Sequence, residues 1–354
     1  MKKTYFQFAA PVVFLSLLFA ACSGNKQEKK QEQKPDQEKP QAEVQAPKSH
    51  AVIGGESELL LKYLDENGNY IKSKEFPSLI KASIVHDNLG PKQLVIDIRD
   101  SKSFSGGHIK GAVNKKFEEL PAYFQKGIKP FEFERIIVVS DDGQLASYTT
   151  SLLRLLGYGN IYAMRWGMSA WNNSFAKDGW LKGVSGKYES SLETKANERD
   201  IAGSLPELKT GLKTGEEITL ARIKKLFEEG TGGVLITADE VFANPNKYFI
   251  LNFERKDKYE DGHIPGAVRY KPESTLGYID EMGSIPVGKT VVVYCGTGHN
   301  SGFATAYLRL FGYNALTLKY GNNGFMHDKM VKQRAALSWL PFGTEDVNNF
   351  EVVK

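Results

Sequence analysis

The sequence predicts an α/β protein made of two tandem copies of one domain, each a mostly parallel sheet flanked by helices. Gly107-His-Ile-Lys-Gly-Ala-Val113 recurs as Gly262-His-Ile-Pro-Gly-Ala-Val268, 155 residues later. The same offset carries Leu153-Arg-Leu-Leu-Gly-Tyr158 onto Leu308-Arg-Leu-Phe-Gly-Tyr313, with no insertion between the two blocks. Self-similarity at a fixed offset is the mark of a duplicated unit. Each copy also alternates short apolar runs with segments of helical period, the pattern of βα units around a parallel sheet. A third block, Trp166 to Trp171, is matched by Tyr320 to Phe325 after deletion of one residue.

The length of 354 residues suits two ordinary domains, and 41% hydrophobic with 25% charged residues is normal for globular protein. The net charge is +4, of which Lys2 and Lys3 supply two, and no Lys/Arg cluster with interleaved aromatics appears. A nucleic-acid partner is therefore not expected.

Residues 1–21 read as a signal peptide. Lys2 and Lys3 form a basic start, and Pro11 to Ala21 is apolar but too short to span a bilayer. Phe19-Ala-Ala-Cys22 resembles a bacterial lipoprotein signal, which implies lipidation of Cys22 and residence in the cell envelope, at the periplasmic side or outer membrane. Residues 22–54 are rich in Lys, Glu, Gln and Pro and read as a flexible polar tether. Export also bears on the cysteines. Only Cys22 and Cys295 exist, so with Cys22 lipidated Cys295 has no partner in a compartment where disulfides are common. That flags a reactive thiol.

The first copy spans residues 55–185, a polar linker covers 186–215, and the second copy occupies 216–354. The second copy opens on a helix in which Leu220, Ile223 and Phe227 share a core-facing stripe. His108 and His263, beside glycines in matching turns, are expected to tie backbone groups together. The tail after Leu340 carries no readable signal.

The stretch from Val291 to Tyr313 holds the chemistry. Val291-Val-Val-Tyr294 reads as a buried strand, and Ala304, Leu308 and Phe311 lie on one helix face with Gly312 as the stop. Between them a loop begins with Cys295 and carries Gly296 and Gly298. Such a loop points backbone N–H groups inward and adds the positive end of a helix, which lowers a thiol pKa and cradles an anion. Cys295 is therefore expected to be a nucleophile. A small buried core residue is the competing reading.

At this point the chain resembles the rhodanese family of sulfurtransferases, whose active loop has Cys first, Gly fourth and a helix behind it. Cys295-Gly-Thr-Gly298 is most similar to the mercaptopyruvate sulfurtransferase branch, while His299 and Asn300 depart from that branch and from the thiosulfate branch. The resemblance makes the Gly-His-Ile turn a structural signature. It also implies an Asp-x-Arg after the preceding strand, met by Asp97-Ile-Arg99. The same offset lands on Asn252-Phe-Glu254, which leaves Arg255 and Arg269 as candidates for holding an anionic substrate. Cys295 maps onto Ser140, and the first loop carries Asp141 and Asp142. The first copy is thus expected to be inert, supporting the second as in tandem members of the family.

The expected reaction moves a sulfane sulfur from thiosulfate, polysulfide or a mercaptopyruvate-like donor to a thiol or cyanide through a Cys295 persulfide. Gly296, Thr297, Gly298, His299, Asn300 and Ser301 are the expected substrate-binding residues, with His299 able to exchange a proton near neutral pH. No cofactor is expected, and the histidines with Cys295 show no metal-ligand spacing. A phosphatase loop would end in an Arg that grips a tetrahedral oxyanion, and Asn300 and Ser301 stand there instead. The remaining alternative is a non-catalytic or sulfur-carrying lipoprotein that docks a redox or membrane partner.

Overall fold

The computed structural model of the chain describes residues 54–200 and 203–354. The expected signal peptide, Cys22 and all of the expected tether but Gly54 lie outside the described residues.

Two five-stranded sheets are present, every pairing within them parallel. The first contains β1 (Leu79–Ile80), β2 (Gln93–Asp97), β3 (Val113–Asn114), β4 (Arg135–Val139) and β5 (Ile161–Met164), in the order β1-β5-β4-β2-β3. The second repeats this order with β6 (Leu235–Ile236), β7 (Tyr248–Asn252), β8 (Val268–Arg269), β9 (Thr290–Tyr294) and β10 (Ala315–Leu318), as β6-β10-β9-β7-β8. Ile136 to Val139 and Val291 to Tyr294 are fully buried, because a central parallel strand is covered on both faces and favours an unbroken β-branched run. Asp97 pairs with Val139, and Asn252 with Tyr294. The residues just beyond these pairs, including Arg99 and Glu254, therefore stand beside the loops that follow β4 and β9.

Those loops feed helices Gln144–Leu155 and His299–Leu310, which pack against each other at the boundary between the copies. Ala304, Leu308 and Phe311 are buried, and so is nearly every other residue of that helix. The expected apolar stripe is only part of what is covered, since a helix between two domains has no solvent face. A Cβ on Gly302 would come within 2.9 Å of the Gln144 carbonyl oxygen, so glycine sets how closely the helices approach.

The opening helix of the second copy runs Gly215–Glu229, capped by Thr214 and Glu217 in a capping box. Ile223 and Phe227 are buried as expected, but Leu220 is 49% exposed. The buried stripe runs instead through Ile218, Ile223, Leu226 and Phe227, facing helix Glu56–Glu66 and the core. The segment expected to run over the surface as a linker is held at several points. Glu193 forms an antiparallel bridge with His263, Asn197 a parallel one with Val268, and Leu205 and Leu208 are buried.

The matching turns use their histidines alike. The Nδ1 atoms of His108 and His263 lie 3.0 and 2.8 Å from the carbonyl oxygens of Phe104 and Tyr259, and each ring stacks on that aromatic neighbour. Both are structural ties.

Candidate active site

Cys295 lies immediately after β9, 3% exposed, at the head of the expected loop. The loop closes through Gly298, whose φ of 73° is the left-handed conformation that glycine adopts at no steric cost. The Ser301 N–H points at the Cys295 sulfur at 3.4 Å, and the thiol donates to Ser301 Oγ at 3.7 Å. Ser301 Oγ in turn donates to the Gly298 carbonyl at 3.0 Å. The loop carbonyls are gripped from the segment after β10. The Asn322 N–H donates to Cys295 O at 2.9 Å, and Asn323 Nδ2 donates to Gly296 O at 2.8 Å.

The electrostatics differ from the expected acidic thiol. Burial pushes the Cys295 thiol up, the Glu254 carboxylate pushes it further, and the Ser301 and Thr297 backbone groups pull the other way without prevailing. An amide cradle lowers a thiol pKa only where it outweighs desolvation and nearby negative charge. Here it does not.

Glu254 was visible in the sequence only as a mismatch. Its Oε1 accepts the Gly296 N–H at 2.5 Å, so the amide after Cys295 already holds a carboxylate of the protein itself. Lys258 Nζ lies 3.7 Å from Oε2, and burial raises the Glu254 pKa despite that neighbour. The equivalent Arg99 in the first copy pairs with Asp97 at 2.6 Å and donates to Gly107 O at 2.8 Å, with Asp141 at 4.0 Å. The two copies thus carry opposite charges at one position above equivalent loops.

Arg255 is not assembled with Cys295. It is half exposed, pairs with Asp257 at 2.7 Å and donates to Leu337 O at 3.0 Å. The Arg269 side chain donates to the Glu254 carbonyl at 3.5 Å. His299 also turns away from the expected place. Its ring is fully buried, accepts the Trp166 N–H on Nε2 at 3.0 Å, and stacks on Trp180. Because Nε2 accepts, Nδ1 carries the proton and donates to Thr297 Oγ1 at 3.0 Å. Burial and Arg165 hold the His299 pKa at about 3, so the ring stays neutral and does not exchange protons near pH 7. Asn300 is half-buried in the first turn of the helix.

A further contributor comes from a segment without sequence signal. Trp339, 1% exposed, lies where its ring would be 3.4 Å from a Cβ on Gly296, and Lys258 Nζ sits 4.4 Å from its centroid. Asn323 fastens this covering segment by donating to Leu340 O and accepting the Phe342 N–H. A lone Trp in the short stretch from Leu337 to Phe342 gave no periodicity to read. Only the repeat offset, which sets Glu254 on Arg99, pointed at the carboxylate.

The first copy reproduces the frame without the thiol. Ser140 Oγ accepts the N–H groups of Gly143 and Ala146 at 3.0 and 3.2 Å, and Ala146 is the counterpart of Ser301.

The Rhodanese-like domain family matches residues 81–174 and again 237–328, more than half of the chain. Among curated proteins, the tRNA uridine(34) hydroxylase of Rickettsia canadensis is 30% identical over 104 residues, covering 28% of this chain and 39% of that protein. The enzyme of the same name from Acinetobacter baumannii is 26% identical over 147 residues, covering 41% and 43%. The chain thus spans less than half the length of these curated relatives. Among solved structures, the 3-mercaptopyruvate sulfurtransferase of Leishmania major is 15% identical with a TM-score of 0.27, over 74% of this chain and 77% of that one. The thiosulfate sulfurtransferase of Pseudomonas aeruginosa is 15% identical with a TM-score of 0.26, over 75% and 48%. With one family match on each of its two sheets, the chain belongs to the rhodanese-like domain family, as a tandem of two such domains.

Proposed function

We propose that the second domain is a sulfurtransferase site in which Cys295 carries the transferred sulfur as a persulfide. The observation that supports this most is the paired hydrogen bonding of Ser301 to the Cys295 sulfur, through backbone N–H and hydroxyl, at the mouth of a loop in a rhodanese-like domain. The Cys295 thiolate attacks the outer sulfur of a donor, the bond between that sulfur and the donor remnant breaks, and the remnant leaves with the electron pair. A thiol or cyanide then removes the sulfur, which gives ping-pong kinetics. The Ser301 and Thr297 backbone groups favour the sulfur anion. Cys295 is 3% exposed, so the loop has to open before a donor reaches the sulfur. The first domain, with Ser140 at the matching place, acts as support.

The chain is further proposed to be exported and lipidated on Cys22, so that the site works at the cell envelope. The donor type, whether thiosulfate, polysulfide or a mercaptopyruvate-like thiol, belongs to the same proposal.

The test is mass spectrometry of the Cys295 peptide after treatment with sulfur donors, alongside thiocyanate formation from cyanide. One added sulfur, removable by reductant and absent in Cys295→Ser, is the expected result. Turnover that survives Cys295→Ser would remove the nucleophile. A second reading, a docking or sulfur-carrying protein without turnover, is favoured by the burial of Cys295. Folded protein that stays inert with every donor would select it.

A further inference from the structure

The charge reversal between Arg99 and Glu254 has a consequence for which molecules the site accepts. Equivalent positions beyond equivalent strands face equivalent loops, but one presents a guanidinium and the other a carboxylate. The carboxylate is not idle on the surface. It is 8% exposed and engages the Gly296 N–H, the donor nearest the nucleophile along the chain. Two things follow for a small anion approaching Cys295. One amide of the cradle is already occupied, and the anion meets a like charge at close range in a desolvated place. Lys258, 3.7 Å away, offsets part of that charge, while Arg255 is committed to Asp257 and Leu337 on the outer side.

We propose that Glu254 is a specificity-determining residue that turns the site away from dianionic donors such as thiosulfate and toward donors that react uncharged, namely hydropersulfides. This rests on the sulfurtransferase reading given above. In the favoured reaction the Cys295 thiolate bonds to the outer sulfur of R–S–S–H, the original S–S bond breaks, and the thiolate R–S⁻ departs. The proton released by the Cys295 thiol is taken up by that departing group, giving R–S–H and a Cys295 persulfide. One sulfur atom moves at the zero-valent level, and no external oxidant or reductant enters.

The experiment compares kcat/KM for thiosulfate and for an alkyl hydropersulfide with an uncharged alkyl group, in wild type, Glu254→Gln and Glu254→Ala. Wild type is expected to prefer the hydropersulfide. Both variants are expected to raise the thiosulfate-to-hydropersulfide ratio by roughly tenfold or more, the scale on which one neighbouring charge shifts an ionic equilibrium. Because the ratio is internal to each protein, damage common to both reactions cancels. The pH profile of Cys295 alkylation is expected to move to lower pH in both variants, which a purely structural role would not produce. A wild type that prefers thiosulfate, or a ratio unchanged in both variants while Cys295 still loads sulfur, overturns the role of Glu254 and leaves the sulfurtransferase standing. Failure of every protein to load sulfur from either donor overturns both.

Discussion

Gln144 and His299, 155 residues apart at the heads of equivalent helices, each bond to the backbone of the other's domain. Gln144 accepts the Tyr320 N–H on Oε1 at 2.8 Å and donates to Leu318 O at 3.1 Å. His299 accepts the Trp166 N–H at 3.0 Å. The acceptors' partners are themselves counterparts, and Trp166 and Tyr320 share a left-handed backbone with φ of 65° and 64°. The contacts are reciprocal, as across a two-fold axis.

Stability should fall on acidification because of His299. Its pKa lies at about 3 in the folded chain against the ordinary imidazole value of about 6.5. Between those values the unfolded chain binds more protons, so stability rises with pH and is lost as pH falls below about 6.5. The expected loss from about pH 7 to about pH 5 is roughly 2 kcal/mol. Buried Glu254 and Asp142 have raised pKa values and act in the opposite direction. The check is therefore the difference between wild type and His299→Gln in urea unfolding at the two pH values. Curves that stay parallel would remove the claim.

Alkylation of native Cys295 by iodoacetamide should have a midpoint above the ordinary thiol value of about 8.5, since burial and Glu254 both oppose the thiolate. Ser301→Ala takes away the hydroxyl and should move the midpoint higher still while leaving the fold intact. A native midpoint below 7, measured by rate against pH, would contradict this.

Glycine-to-alanine changes inside helices usually stabilise by about 1 kcal/mol. At Gly302 the sign should reverse, to a loss of about 1–3 kcal/mol, because the added methyl meets backbone across the domain boundary. Thermal unfolding of Gly302→Ala decides it, and an unchanged or raised midpoint would show that the helices can part.

Trp339→Ala should loosen the loop at Gly296, and so expose Cys295, at a price in stability. Loss of so large a buried side chain is expected to cost about 3 kcal/mol or more, while alkylation of Cys295 accelerates about tenfold under conditions where the protein remains folded. An unchanged rate would mean that something other than this indole limits access.

The duplicated architecture was legible because the turn blocks and helix ends repeat at one offset, and because β-branched runs such as Val291–Val293 admit few structures other than buried strands. Cys295 was legible as a loop cysteine for the same reason. What the sequence did not disclose were directions. A histidine in the first turn of a helix faces either the loop or the neighbouring domain, and only packing against Trp166 and Trp180 decides which. The raised thiol pKa likewise depends on how deeply the fold buries the sulfur and on the Glu254 carboxylate beside it. Trp339 lies in a tail with no period, and its contact with the loop joins residues more than forty positions apart.

The mirrored grip of Gln144 and His299 also says what would happen if the chain were severed between its halves. Each fragment would bare a patch already shaped to receive its own likeness, and at sufficient concentration either piece would find a twin. The first half is therefore a permanently attached mate, standing where a second molecule would otherwise have to be recruited.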